Sequence, residues 1–532
     1  MPNRFSGFSF PARRTDFLKN SWGLAVLAFL GAWFGFANPL LHFPPAIFLL
    51  PAALLLTGIR SGSLPQALRA GFLVSLPGYA AGLYWIALPV HDFGNLPWIL
   101  ALPCPVLVGG LLAAYAAIFC AGAFLIRGHA GHPAACLFSG ALWASLELAR
   151  NHFLTGFSWL PLASAPAIWP QALGAAAWVG AFGLSGILVS LTHAVLLGRG
   201  MGRLMAVPFL ILLFLPALFS PSATPDEQAE VIVVQGNIDQ NLKWDEESQK
   251  NILQTYIDLS RAAVREESAD LVVWPETAMP FYFQDPTELS LHASRAVAEL
   301  GVPLLAGAPA YSSLDPRDEP EADFVLRNRA YLLNAQGGTL GWYDKEHLVP
   351  FGEYVPLGKW LPFLTRLVPG EYEFRPGRNM EPLRSGALAL GTLICYEAIF
   401  PELAQKRVAQ GANVLVNISN DAWFGRSSAP IQHLHLAVLR AVEQGRALIR
   451  ATNTGVSAFI GPDGRVETAT ELFTAATPRK KDVPLLTGTT FYHDHFDFIH
   501  LAFPLAALLS GAACWLKGRR KHPESSCSNT RN

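Results

Sequence analysis

The sequence predicts two kinds of structure in one chain: an α-helical transmembrane bundle of about eight spans and an α/β sandwich domain with helices outside. Three observations predict it. The 532 residues are 51% hydrophobic and only 15% charged, against about 25% charged in ordinary soluble domains. The apolar excess is uneven: residues 20–220 carry few charges, 225–490 read as a soluble domain, and 497–516 are apolar again. From residue 229 onward, short apolar runs alternate with helical patterns. The length leaves room for at least two structural units. A net charge of −1, with no basic run beyond the termini, argues against nucleic acid as a partner.

At about 20 residues per span, candidates lie near 21–37, 39–57, 66–92, 98–126, 134–149, 172–197, 203–220 and 497–516. The second holds a proline pair, and the fifth is short and contains Glu147. A signal peptide would be one short apolar stretch with a cleavage site, not a series. Lys and Arg in short loops set the orientation. Arg4, Arg13, Arg14 and Lys19 precede the first span. Arg60 and Arg69, Arg127, and Arg199 and Arg203 fall in every second loop, and Lys517, Arg519, Arg520 and Lys521 follow the last span. Arg150 is the exception. With seven spans before residue 220, every basic loop lies on one side. Both termini are then cytoplasmic and the 225–490 domain lies outside. The predicted divisions are 1–220, a seven-span bundle; 225–490, the outside domain; 497–516, a last span; and 517–532, a polar tail.

Cys104, Cys120, Cys136 and Cys514 sit in spans or at their edges, and Cys527 in the tail. Cys395 alone belongs to the outside domain, where a lone thiol has no disulfide partner in the chain. On position alone, a buried core cysteine and a reactive thiol both remain open.

The outside domain reads as strand "AEVIVVQGNI", helix "DEESQKNILQTYIDLSRAAVREE", strand "ADLVVWPETAMP", helix "TELSLHASRAVAELG", and strands "VPLLAGAP" and "RAYLLNAQGGTLGWY". Strand "ALALGTLICYE" follows, then a helix near 401–410, strand "ANVLVNISND", helix "APIQHLHLAVLRAVEQGRAL" and a hairpin turning at Asp463-Gly464. Strands without polar alternation imply sheets covered on both faces.

Polar groups cluster where strands end, which is where α/β folds assemble sites. "VVWPETAMP" ends at Glu276, "GWYDKEHLVPFGEYVP" holds Lys345 and Glu353, and "LICYE" holds Cys395. A thiol near pKa ~8.5 needs help to become a thiolate. Glu276 is placed to shuttle that proton, and Lys345 to lower the thiol pKa and stabilise an oxyanion. Each piece alone is weak; together they carry nucleophilic chemistry, and no metal or cofactor is called for.

Together these residues resemble the nitrilase superfamily, whose Glu-Lys-Cys triad sits on an α-β-β-α sandwich. "QGNIDQNLKWDEE", "WPETAMP", "YDKEHLVPFGEYVP", "CYEAIFPE" and "NISNDAWFG", following several spans, are similar to its membrane-anchored branch, the apolipoprotein N-acyltransferases, over nearly the whole chain. The polar "RDEPEAD" near 317–323 reads as a variable surface loop. The resemblance implies Glu276 as general base, Lys345 as transition-state cation and Cys395 as nucleophile, with Glu353, Tyr396 and Glu397 supporting them. It marks Trp244 and Trp423 on mobile loops around the entrance, and Asn328 near the pocket. It further implies a bacterial inner-membrane enzyme with a periplasmic catalytic domain, a phospholipid acyl donor and a diacylglyceryl apolipoprotein acceptor. One site per chain makes a monomer sufficient.

Other readings stand beside these. A membrane-tethered amidase or nitrilase would share the triad but need neither the bundle nor the tryptophan loops. A transporter or scaffold with a binding domain would not need Cys395. Trp244 and Trp423 also suit the headgroup level. His493, Asp494, His495 and Asp497 are too closely spaced for a tetrahedral metal site. His433 and His435, two apart on a helix, do not share a face and read as structural or solvated. Glu147 and Arg150 read as a helix-end pair or as lining of a lipid entrance.

Overall fold

The structure, a computed structural model, describes residues 14–94, 96–218, 225, 227–243, 245–266, 269–313, 324–355 and 374–520. Trp244, the 317–323 loop and most of the 517–532 tail, including Cys527, lie outside the described residues.

Each of the eight apolar stretches contains helix, but their lengths differ. Trp98–Leu125, Ala176–Leu197 and Phe496–Lys517 are long and apolar enough to cross a membrane. The stretch read as one span near 66–92 holds two helices, Leu64–Gly82 and Tyr84–Asp92, bent by 59° at a break between them. The bend falls at Leu83, whose backbone (φ −109°, ψ 13°) leaves the helical region. Ser21–Gly35, Pro44–Arg60 and Met201–Phe214 are shorter apolar helices. In the helix Pro133–His152, Glu147 and Arg150 are both buried. Glu147 accepts hydrogen bonds from Trp143 Nε1 (2.8 Å) and the Leu162 amide (3.0 Å), so its local role is to join two segments of the bundle.

The remainder forms two six-stranded sheets. The strands are β1 (Glu227–Val233), β2 (Leu271–Val273), β3 (Leu304–Ser313), β4 (Phe324–Leu333), β5 (Thr339–Asp344), β6 (Leu383–Ser385), β7 (Leu388–Ile394), β8 (Val414–Ser419), β9 (Leu448–Thr452), β10 (Ala458–Ile460), β11 (Val466–Ala469) and β12 (Arg479–Leu485). Their orders are β12-β1-β2-β3-β4-β5 and β11-β10-β9-β8-β7-β6. In each sheet three parallel strands, β1-β2-β3 or β7-β8-β9, are flanked by antiparallel ones.

Side chains alternate across a strand, and that alternation builds four layers. Val231, Val233 and Leu305 of one sheet meet Leu390, Val416 and Ile449 of the other in a shared core. Ile232, Val272 and Leu304 turn outward onto the helices Glu246–Glu266 and Glu288–Leu300. Leu393, Leu415 and Leu448 turn the opposite way, into a cluster that runs without a break from the helix Ala429–Gln444 to Leu24, Leu54 and Leu112 of the bundle. Strands covered on both faces account for the unbroken apolar runs.

The structure refines several element boundaries. "RAYLLNAQGGTLGWY" is two strands turning through Asn334–Gly338, where the Asn334 carbonyl accepts from the Gly337 amide. The helix read as reaching residue 448 stops at Gln444, because Gly445 adopts a left-handed φ of 58°; Leu448 then begins β9. β12 is lysine-rich because it is an edge strand, half exposed on one side of its sheet.

The helix Ala429–Gln444 is buried along almost its whole length, pressed between the second sheet and the bundle. Gln432 saturates the seam. Its Oε1 accepts from Trp85 Nε1 (3.1 Å) and Trp159 Nε1 (2.7 Å), and its Nε2 donates to the carbonyls of Ala37 (2.9 Å) and Gly82 (3.1 Å). Gln432→Leu is therefore expected to leave buried indole N–H and carbonyl groups unpaired, at about 1–3 kcal/mol each. Thermal melting should fall by about 2–4 °C per kcal/mol lost; an unchanged melting temperature would contradict the assignment.

Candidate active site

Cys395 follows directly on β7, in a left-handed backbone (φ 52°), at the head of the short turn Cys395–Ile399. Such a conformation costs a non-glycine residue about 1–2 kcal/mol, so the surroundings must hold it. Glu397 does much of this. Its Oε2 accepts the Ile394 amide (2.6 Å), while its Oε1 accepts Tyr343 Oη–H (2.6 Å) and the amides of Glu346 (2.7 Å) and His347 (3.1 Å). One buried carboxylate thus ties the cysteine turn to the loop that carries Lys345. Burial raises the Glu397 pKa, and Arg407 opposes the rise.

Glu276 leaves the end of β2. Gly307 of β3 passes so close that a Cβ there would meet Glu276 Cα at 2.7 Å, so the glycine lets the adjacent strand pass the carboxylate's backbone. Asn328 of β4 donates through Nδ2 to Glu276 Oε1 (2.7 Å) and Glu353 Oε1 (2.8 Å). The Asn420 amide donates to Glu276 Oε2 (2.9 Å). Lys345 follows β5, with its amide held by the Asn328 carbonyl (2.8 Å). Its side chain is 1% exposed, with Nζ 2.9 Å from Glu353 Oε1 and 3.6 Å from Glu276 Oε1. The Val349 amide fixes the other Glu353 oxygen (2.8 Å).

The structure therefore gathers Glu276, Lys345, Glu353 and Asn328 into one hydrogen-bonded group, with Cys395 electrostatically coupled to it. Burial alone would depress Lys345, but Glu353 and Glu276 hold its pKa well above the ordinary lysine value. The Cys395 thiol is pushed well up by burial and by Glu276, while Lys345 pulls the other way. Lys345 only partly offsets the rise, so a base close to the thiol would ease its deprotonation.

The other sequence-marked residues lie further out. Tyr396 donates through its hydroxyl to the Gly156 carbonyl (3.1 Å) and packs edge-on against Phe400, joining the cysteine turn to the bundle. Trp423 is half-buried and stands edge-on to Phe93, ring centres 4.6 Å apart. Phe93 lines an open cleft of about 600 Å³ with His91, Asp92, Leu96, Pro97 and Asn241. His493 is occupied through Nδ1 by Gln444 Oε1 (2.7 Å).

Sequence reading passed over Lys243 and left His433 between a structural and a solvated role. Lys243 is fully buried, with Nζ 3.4 Å from the Glu276 carbonyl, and burial pushes its pKa down to about 7 against the pull of Glu276. His433, read as structural or solvated, is fully buried and reaches the Cys395 carbonyl. The available signal was polar residues inside apolar strands: Asn417 in "VLVNIS" and Arg450 in "LIRAT" demand buried partners.

Residues 231–477 match the carbon-nitrogen hydrolase family, and residues 27–194 match the apolipoprotein N-acyltransferase N-terminal domain. The apolipoprotein N-acyltransferase of Geobacter metallireducens is 38% identical over 86% of this chain and 88% of its own. The enzyme of the same name from Pseudomonas aeruginosa is 35% identical over 91% of this chain and 94% of its own. That of Nitrosomonas europaea is 34% identical over 92% and 96%. With a carbon-nitrogen hydrolase sandwich docked on an apolar helical bundle and relatives matched nearly end to end, the chain belongs to the apolipoprotein N-acyltransferase family.

Proposed function

We propose that the chain moves an acyl group from a membrane phospholipid, through a thioester on Cys395, to the N-terminal amino group of a diacylglyceryl-cysteine apolipoprotein. The observation that carries this reading is the buried contact of Lys345 with both Glu276 and Glu353 at the mouth of the Cys395 turn. Glu276 takes the thiol proton as Sγ attacks the ester carbonyl, and Lys345 faces the oxyanion that forms. The ester C–O bond then breaks, and the proton on Glu276 passes to the departing lysophospholipid oxygen. In the second step the acceptor amine attacks the thioester carbonyl. Glu276 takes a proton from the amine, and the C–S bond breaks to release the thiolate, which is reprotonated. Glu353 and Asn328 hold Lys345 and Glu276 in register. Trp423, beside Phe93 at the open cleft, borders the entrance.

Both substrates are lipid-anchored, which explains a catalytic sandwich fused to an apolar bundle. Seven spans before residue 220 and one at 497–516 would put both termini in the cytoplasm and the 225–490 catalytic domain on the periplasmic side of a bacterial inner membrane. The triad comes from a single chain, so a monomer suffices.

Intact-protein mass spectrometry after incubation with phospholipid vesicles tests the covalent step. Wild type is expected to gain the mass of one acyl chain, released by hydroxylamine, and Cys395→Ser to gain none. An active wild type that never carries the adduct would overturn the thioester.

A further inference from the structure

The strained Cys395 peptide is held from behind by groups that take no part in the proposed proton transfers. Two side chains reach the Cys395 carbonyl oxygen: His433 Nε2 at 3.1 Å and Asn417 Nδ2 at 3.4 Å. Asn417 lies on β8 and also donates to the Leu393 carbonyl (3.1 Å), so one amide binds the chain on both sides of residue 394. Arg450, its neighbour on β9, donates through Nη1 to Asn417 Oδ1. Through Nη2 it donates to Asp421 Oδ2 (2.7 Å) and His433 Nδ1 (3.1 Å). Asp421 Oδ1 lies 3.1 Å from the same Nδ1 and accepts the Ser419 hydroxyl (2.7 Å). His433, Asp421, Arg450 and Asn417 are each 0% exposed.

The protons on the ring follow from these partners. A carbonyl only accepts, so Nε2 carries a hydrogen and points it at Cys395. Burial, then Arg450, holds the ring's pKa below its ordinary value, which leaves Nδ1 free to accept from Arg450. Burial alone would raise Asp421, but Arg450 holds it well below the usual carboxylate range. A buried cluster of this kind is a poor way to gain stability, since apolar packing of equal volume does as well or better. What it supplies is direction: it ends on the carbonyl of Cys395, whose left-handed backbone (φ 52°) needs holding. The residue before it, Gln432, is locked to the bundle, so the ring is mounted on a fixed helix.

We propose that His433, oriented by Arg450, which Asp421 in turn anchors, is a positioning residue that aims Cys395 by gripping its main-chain oxygen. This rests on Cys395 being the nucleophile. Loss of the grip lets the 395–396 peptide rotate and carries Sγ off the line of attack, and a displacement near 1 Å costs on the order of 100-fold in rate.

His433→Gln and His433→Asn separate this role from simple filling of space. A glutamine amide nitrogen reaches about where Nε2 sits, whereas an asparagine reaches only to Nδ1. The full-length protein in vesicles is followed by the single-turnover rate of Cys395 acylation from phospholipid, by KM for the lipid, and by thermal melting. His433→Asn should slow acylation on the order of 100-fold at unchanged KM, and His433→Gln should restore most of the rate. Asp421→Asn, which keeps the shape but weakens the anchor that holds Arg450 on the ring, should slow the same step less. Equal slowing by Gln and Asn that tracks the loss of melting temperature overturns the proposal, as does an unaltered rate in His433→Asn or Asp421→Asn. An acyl adduct in Cys395→Ser would instead overturn the nucleophile assignment on which it rests.

Discussion

Glu276→Gln is expected to abolish measurable turnover, lowering the acylation rate by about 100- to 10,000-fold, the range a positioned general base contributes. The substitution keeps the volume and removes the basicity. It also creates a local conflict that can be read from the partners. Asn328 Nδ2 and the Asn420 amide both donate to the carboxylate, one to each oxygen. An amide offers only one acceptor oxygen, so one of its own N–H groups must face a donor. That costs about 1–3 kcal/mol of stability, too little to unfold the domain. Single-turnover acylation and thermal melting, measured on the same preparation, keep the two effects apart. A variant retaining a tenth or more of the wild-type acylation rate would remove Glu276 from the role of base.

Lys345→Met is expected to fail on both counts. The side chain keeps its length and loses its charge, so the oxyanion loses its cation, worth about 100- to 1,000-fold in rate by analogy with a single oxyanion donor. Glu276 and Glu353 are left sharing one Asn328 amide with no cation between them. Removing one partner of a buried ion pair typically costs 3–5 kcal/mol. The pH sense follows from the pKa direction. Lys345 is held above its ordinary value in the folded state. Its contribution is therefore complete below the unfolded lysine pKa of about 10.4 and fades only as pH rises through the folded value. An assay near neutrality thus sees the whole deficit. In the variant, two adjacent carboxylates favour sharing a proton, so its deficit should shrink as the pH is lowered toward 5. Denaturant unfolding at pH 5 and pH 8 checks this; an equal deficit at both would show that the carboxylates do not meet in the absence of the lysine.

Much of the site was legible because its members are strand-end residues in distinctive words. Glu276, Lys345 and Cys395 each follow a short run whose apolar, β-branched character makes it a strand, and the structure joins the first two at 3.6 Å. Asn328 was placed near the pocket only through resemblance. That it bridges Glu276 and Glu353 is a fact of β4 lying beside β3 and β5. Glu397 was seen as support, but its true partners, Ile394, Tyr343, Glu346 and His347, come from two separate segments. The helix Ala429–Gln444 was found from periodicity, which left its histidines between structural and solvated roles. A helix pressed between a sheet and a membrane bundle is buried on all sides, so His433 and Gln432 are interior groups despite their polarity.

What the sequence determined alone is local and additive. Apolar excess and its distribution set apart a helical region from an α/β one, and strand-ending words marked the candidate site residues. Tertiary structure decided what depends on two distant segments meeting. It made one long apolar stretch a pair of helices bent by 59°, and it set the balance of burial, Glu276 and Lys345 that raises the Cys395 thiol pKa. It also aimed a buried histidine at the cysteine carbonyl. The physical reason is that desolvation and hydrogen bonding act through distances in space, and residues 276, 345, 395 and 433 acquire theirs only when the two sheets close on each other.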